Sequence, residues 1–375
     1  MQSVYIRSGK KKEGFLVEEN LDKPLYSFLC DRNLRGRVVL VKPNMVDPTI
    51  EEACTSSMAL GTIVDHLNHF GVDKVIIGGE PAAYVYERGD FDLGEAYAEL
   101  GYFISGAEPV DLSSLPVKHF EGIRVSPTNG SEEKMRIPVY DTRGMVIISV
   151  SKPKEHGQYN FSGCVKNLMG LVPQNRRMRA FHHGFQQAAE HLTRAEESGT
   201  YMDVEDQVIA LRKMKLQEDF VEQYCSRVDD KTRANYVRDA FELMRMGYLD
   251  PLSFDILLEH IVNKGGITGL FRHIMNVNPE SFGVLDGSIS LLRNEHEGEI
   301  IHTDFAAVGD IYAVDRIGMK KMGIPLRDVP YMHDIAFEEG LISEIGELGL
   351  ILPTRCPKRK ELFKGRHGLT FARNK

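Results

Sequence analysis

Residues 37–46, RVVLVKPNMV, hold a β-branched apolar run that stops at a proline. An extended chain that is apolar on both faces must be covered from both sides, which is the situation of an interior strand in a parallel sheet. The chain that follows fits this demand. Residues 56–71, SSMALGTIVDHLNHFG, open on a serine suited to helix capping, continue with a 3.6-residue apolar period and close on a glycine, so a helix is predicted there. Residues 73–81, DKVIIGGEP, read as a second strand and residues 91–102, FDLGEAYAELGY, as a second helix. Strand, helix, strand, helix in that order specifies an α/β fold: a parallel or mixed sheet with helices on both faces.

The pattern is interrupted twice. Residues 105–140 carry short extended pieces, GIRVS and RIPVY, separated by PTNGSEE, and predict an antiparallel excursion. Residues 145–151, MVIISVS, return to a buried strand. Residues 188–275 hold long charged helical patterns such as DVEDQVIALRKMKLQEDFVEQYCSRV, which predict an all-helical insertion suited to a lid or to a homodimer surface. The α/β alternation then resumes, with strands at SFGVLDGS, DFAAVG and LGLILP and a helix at IYAVDRIGMKKMG. The expected organisation is an α/β core over 1–187, the insertion over 188–275, the rest of the core over 276–352 and a basic tail over 353–375.

The chain has a formal charge of −8, which disfavours nonspecific nucleic-acid binding. The tail concentrates eight Lys or Arg against the single acid Glu361. It reads as a solvated end, a docking element for a neighbouring subunit, or a segment that closes over an anionic ligand. No stretch approaches the roughly 18 apolar residues that span a bilayer, and the start of the chain lacks an apolar run, so no membrane partner is expected. Five scattered cysteines without a CxxC pair fit reduced thiols and a cytoplasmic protein, and give no basis for an iron–sulfur cluster.

Ligands of doubly wound sheets bind beyond the carboxyl ends of the parallel strands, and polar groups collect at those ends here. They are Lys42 and Asn44, Glu80, the group Lys152, Lys154 and His156, Asp286, and Asp310. Along an extended chain, side chains two apart share a face, so Lys152, Lys154 and His156 predict a row of cationic donors ending in an imidazole. Such a row is either a solvated basic strand end or a site for a carboxylate or phosphate, with the histidine able to move a proton. The next residues, NFSGCVKNLMG, place Ser162 as a helix cap, Gly163 for close backbone approach, Lys166 one turn on, and Asn167 beside it. The unpaired N–H groups of that helix would complete an anion site. There is no GxGxxG and no GxxxxGK[ST], so ordinary dinucleotide or P-loop binding is not indicated. Of His182 and His183 only one can face a given point on a helix. Asp286, Asp310 and Glu80 are placed to orient the imidazole or bind a divalent metal, although Asp310 also suits a helix cap, and Asp315 lies inside the following helix, facing either way.

At VLVKPNMV, SKPKEHG, SGCVKNLMGLV, VLDG and GDIYAVDRIGMKKMG the chain resembles the domain-of-unknown-function family 362. That resemblance implies an α/β fold and, in many members, an iron–sulfur module that this chain lacks the cysteines to build. A more distant resemblance is to the nickel-pincer lactate racemases, carried by His156, Ser162-Gly163, Lys166 and His182 in that order. It implies a proton-transfer base at His156, a cofactor-anchoring lysine at Lys166 and a metal ligand at His182. The second catalytic histidine of those racemases has no counterpart in context, since His119 sits in VKHFEG. The expected function is therefore an enzyme that moves a proton or hydride at carbon in a small hydroxy acid, carboxylate or phosphorylated compound. In that reading His156, Lys166 and Lys154 are catalytic, and Lys42, Asn44, Lys152, Ser162, Gly163, Asn167 and Glu80 bind substrate. His182 and Asp286 are then the metal candidates. The alternatives are a noncatalytic protein that binds an anionic cofactor or partner, and an oxidoreductase related to the iron–sulfur members.

Overall fold

A computed structural model describes residues 5–8, 17–82, 85, 86, 89, 91–125, 132–156, 159–174, 204–228, 231–246, 254, 258, 267–293, 298–326, 329, 331, 332 and 335. The chain divides into two compact units, one of residues 1–119, 138–177 and 271–325, the other of 120–137, 178–270 and 326–375.

The first unit begins with strand β1 (Tyr5–Ser8), helix α1 (Val17–Cys30), strand β2 (Val38–Pro43), helix α2 (Ser57–His69) and strand β3 (Lys74–Ile77). Helix α3 (Leu93–Glu99) and strand β4 (Glu108–Pro109) follow. The antiparallel pair β5 (Val117–Val125) and β6 (Glu132–Tyr140) forms a sheet of its own, most of it in the second unit. Strand β7 (Met145–Ser151) leads to the short helix α4 (Cys164–Asn167). Beyond the described helices of the second unit come strands β8 (Phe282–Leu292) and β9 (Glu299–Gly309) and a long final helix, Ile311–Lys321.

The main sheet has the order β1-β9-β8-β7-β2-β3-β4. Strands β4, β3, β2, β7 and β8 run parallel, while β8 and β9, and β9 and β1, pair antiparallel, so the sheet is mixed. Alternation sorts its side chains. Val39, Val41, Val146, Ile148 and Val150 join Leu21, Leu25 and Phe28 of α1 and Leu60, Ile63 and Val64 of α2 in one core. On the opposite face Gly283 lies against Cys164 of α4 and Ile311, so helices cover both faces as expected.

Helix α2 has its predicted signals: the Ser56 hydroxyl accepts the Ala59 N–H, and Gly71 adopts φ +72 just past the end. Strand β1 and helix α1 were not anticipated. The first is a four-residue edge strand, and the second carries Pro24 inside it, where the missing N–H weakens any helix signal in the sequence.

In the second unit, helices α5 (Val204–Arg227) and α6 (Lys231–Arg245) pack through Phe220, Val221, Val237, Ala240, Phe241 and Met244. Helix α7 (Ile267–Val277) continues the chain back toward β8, and the Ile311–Lys321 helix is α8. The described part of the predicted insertion is thus helical. The predicted strand LGLILP and the basic tail lie outside the described residues. Among the described residues no helix is long and apolar enough to cross a membrane.

Candidate functional site

From β2 the chain moves through α2 to β3 on one side, and it later returns to β7 on the other side of β2. The carboxyl ends of β2 and β7 therefore flank the topological switch point, where connections diverge and leave a crevice. The two strands stay paired from Val38↔Met145 to Pro43↔Val150, and the Asn44 N–H continues the ladder by donating to Val150 O at 2.9 Å. The lysines and asparagines singled out in the sequence meet here.

Lys154 is fully buried, and its Nζ donates to Asn44 Oδ1 at 2.6 Å and to Ala53 O at 2.8 Å. Lys42 donates to Asn167 Oδ1 at 2.9 Å, while Asn167 Nδ2 donates back to Lys42 O at 3.0 Å and to Ser149 Oγ at 3.1 Å. Lys42 on β2 and Asn167 on α4 thus hold each other in place. Lys166 is buried with its Nζ 5.8 Å from the centre of the Tyr159 ring.

Lys152 differs from the other three. It is 5% exposed, and among the described residues its ammonium has no hydrogen-bond or ion-pair partner. Its position is reported by Cys54: burial pushes that thiol up to about 11, while the charges of Lys154 and Lys152 pull it down. His156 leaves that row, because the chain turns. The Tyr159 N–H donates to His156 Nδ1 at 3.1 Å and the two rings stand 5.2 Å apart.

The reading of Ser162 and Gly163 as a helix cap open to an anion is corrected. The N-cap of α4 is Gly163, without any side-chain cap bond. The helix start is occupied from within the protein: Asp315 of α8 accepts the Cys164 N–H at Oδ1 and the Val165 N–H at Oδ2, both at 2.7 Å. Gly163 is needed for this carboxylate. A Cβ there would collide with Asp315 Oδ1 and sit 2.7 Å from Asp315 Cγ and 2.6 Å from Phe161 Cε1. Burial raises Asp315 to about 7, against the opposing pull of the two backbone N–H groups. Ser162 instead pairs its backbone with Lys154 in an isolated antiparallel bridge. Asp315 is the residue that sequence reasoning left undecided; its helical phase was visible, but its partner lay about 150 positions away.

The remaining acids are engaged by neutral donors. Glu80 accepts from the Tyr140 hydroxyl at 2.7 Å. Asp286 accepts from Ser56 Oγ at 3.1 Å and from Ser288 Oγ at 2.7 Å, tying β8 to the start of α2. Asp310 caps α8 by accepting the Ala313 N–H at 2.9 Å. His119 is exposed on β5, and His182 and His183 lie outside the described residues. Among the described residues no three His, Cys, Asp or Glu side chains converge to hold a metal ion. Of the racemase-like set, His156 and Lys166 both approach the Tyr159 ring, and Asp286 meets two hydroxyls and a backbone amide.

The sequence model of a family described as a domain of unknown function (DUF362) matches residues 39–320. No curated protein matches the chain. A crystal structure of a Thermotoga maritima protein, solved by a structural genomics consortium, is similar at 12% identity and a TM-score of 0.38, covering 84% of this chain. This chain spans 61% of the length of that protein. The racemase pattern rests on the four sequence positions alone.

Proposed function

We propose, from the premise that this chain belongs to the DUF362 family, that it is an enzyme that moves a proton at a carbon of a small anionic metabolite bound at the switch point between β2 and β7. The observation that carries this reading is the gathering of lysines at that crevice: Lys152 is 5% exposed, and Lys154 is fully buried with its ammonium donating to the neutral oxygens of Asn44 and Ala53. Positive charge held largely out of water favours a bound anion, and it would stabilise the enolate-like oxygen that develops when a proton leaves the adjacent carbon.

Proton transfer falls to the pair that rests on Tyr159. A peptide N–H has only one role, so His156 Nδ1 is an acceptor, and in the neutral ring Nε2 carries the hydrogen. That geometry supports His156 as a hydrogen-bond donor to the enolate oxygen rather than as the base. Lys166, on the same tyrosine ring, is the candidate to take the proton from carbon in its amine form and return it. No step passes through a metal or organic cofactor.

The test is exchange of carbon-bound hydrogen. Lactate, glycolate and malate are incubated with the protein in deuterium oxide, and the α-proton signal is followed by NMR. The proposal expects loss of that signal for at least one compound, and a fall of about 100-fold or more in Lys166→Met. Binding of these anions without exchange in any of them would replace the enzyme with a noncatalytic binding protein.

A further inference from the structure

Asp315 is fully buried, and its carboxylate serves a helix of only four residues. Taking a carboxylate out of water is costly even when its oxygens are filled. A hydroxyl or amide at the N-cap would satisfy the same helix start locally, yet that position is Gly163, and a carboxylate is brought from α8 instead. The approach of α8 depends on Gly318, three residues on from Asp315 and a neighbour of it on the helix surface. A Cβ at Gly318 would lie 2.7 Å from Leu285 Cδ1 of β8 and 3.2 Å from Phe161 Cζ, so only a bare backbone lets α8 come this close to the start of α4.

The rest of α4 is tied down as well. The Ser149 hydroxyl donates to Cys164 O at 2.8 Å, and Cys164 Sγ donates to Val284 O at 3.3 Å. The Asn167 N–H closes the turn on Gly163 O at 3.0 Å, while the Asn167 side chain exchanges hydrogen bonds with Lys42. Five residues are thereby joined to β2, β7, β8 and α8. Between the two tied ends stands Lys166, 9% exposed, with its Nζ 5.8 Å from the centre of the Tyr159 ring.

We infer that Asp315 is the positioning residue for Lys166: by holding the start of α4 it sets where the Lys166 amine stands, without itself touching a substrate. This rests on the reading of Lys166 as the group that moves the proton, and it adds how the place of that group is fixed. A side chain is placed no better than the backbone that carries it, and a misplacement of about 1 Å at a reacting group can cost about 100-fold in rate. Holding such a group within that tolerance takes a supporting set of packed and hydrogen-bonded neighbours. The Cys164 and Val165 N–H groups are the last two ties before Lys166 in the chain, and both end on Asp315.

Acylation of the full chain with a trace of N-acetoxysuccinimide tests this without relying on turnover. The reaction is run at pH 8, where the Asp315 carboxyl, titrating at about 7, is ionised, and initial rates at individual lysines are read by peptide mass spectrometry. In Asp315→Asn, Lys166 is expected to react at least about 10-fold faster than in the parent, the worth of one buried acceptor lost from the turn. Lys154, equally out of water but held by Asn44 and Ala53, is expected to keep its parental rate. Circular dichroism checks that the variant folds; if it does not, Gly163→Ala, which pushes the same carboxylate away, is read in its place. Equal acceleration at Lys154 and Lys166 would show general loosening and overturn the inference. An unchanged Lys166 rate would overturn it too, and would leave the catalytic reading standing if hydroxy acids exchange hydrogen. Selective acceleration at Lys166 with no hydrogen exchange in any hydroxy acid would remove the catalytic reading and leave Asp315 as the residue that seats Lys166.

Discussion

Replacing Asp315 by Asn should make the pH dependence of stability change by an amount that the burial of this carboxyl sets. In the folded protein Asp315 titrates at about 7, against an ordinary value of 3.8. Between those two pH values the folded state keeps a proton that the unfolded chain releases, so the folded state is favoured at low pH and loses about 1.4 kcal/mol per pH unit as pH rises toward 7. The whole excursion is about 4 kcal/mol, fully present below about pH 4 and gone above about pH 7. Asparagine does not titrate. Its amide also turns an N–H toward one of the two backbone donors that Asp315 now satisfies, which costs about 1–3 kcal/mol at every pH. The variant should therefore be less stable than the parent by about 1–3 kcal/mol near pH 4, converge with it as pH rises, and match or exceed it at pH 8. The chain has no tryptophan, so urea unfolding followed by circular dichroism from pH 4.5 to 8 is the suitable assay. A stability difference that stays constant across this range would refute the argument that Asp315 is held above the usual carboxylate range by its burial.

Other consequences follow from the same packing. Gly163→Ala puts a methyl group against Asp315 and Phe161 and should lower unfolding stability by about 2–4 kcal/mol, combining overpacking with a weakened clamp on α4; a urea midpoint within error of the parent would contradict it. Asn167→Leu removes the Oδ1 acceptor of the Lys42 ammonium and the donor to Ser149, and should cost about 3 kcal/mol by the same assay.

Much of the sheet was legible because its signals are local. The β-branched runs of β2 and β7 and the Ser56 and Gly71 ends of α2 each lie within one window of sequence. Helix α1 was not legible, because Pro24 contradicts its period. The gathering of polar residues at the strand ends was legible, whereas the cap read at Ser162 is not the one the fold uses. Ser162 followed by Gly163 looks like a cap, but the cap is supplied by Asp315 from another helix, a pairing that no local pattern records. The same holds for Asn167, which serves Lys42 across the sheet, and for His156, whose orientation is set by a turn that the alternation of the preceding strand does not predict.

The central claim is that the crevice between β2 and β7 receives an anion at Lys152. A crystal structure of the full chain with propionate tests it most directly. The account predicts one carboxylate in contact with Lys152 Nζ, with Asp315 still seated on the Cys164 and Val165 N–H groups. A carboxylate bound elsewhere while this spot holds none, or one bound at the start of α4 with Asp315 displaced, would contradict it.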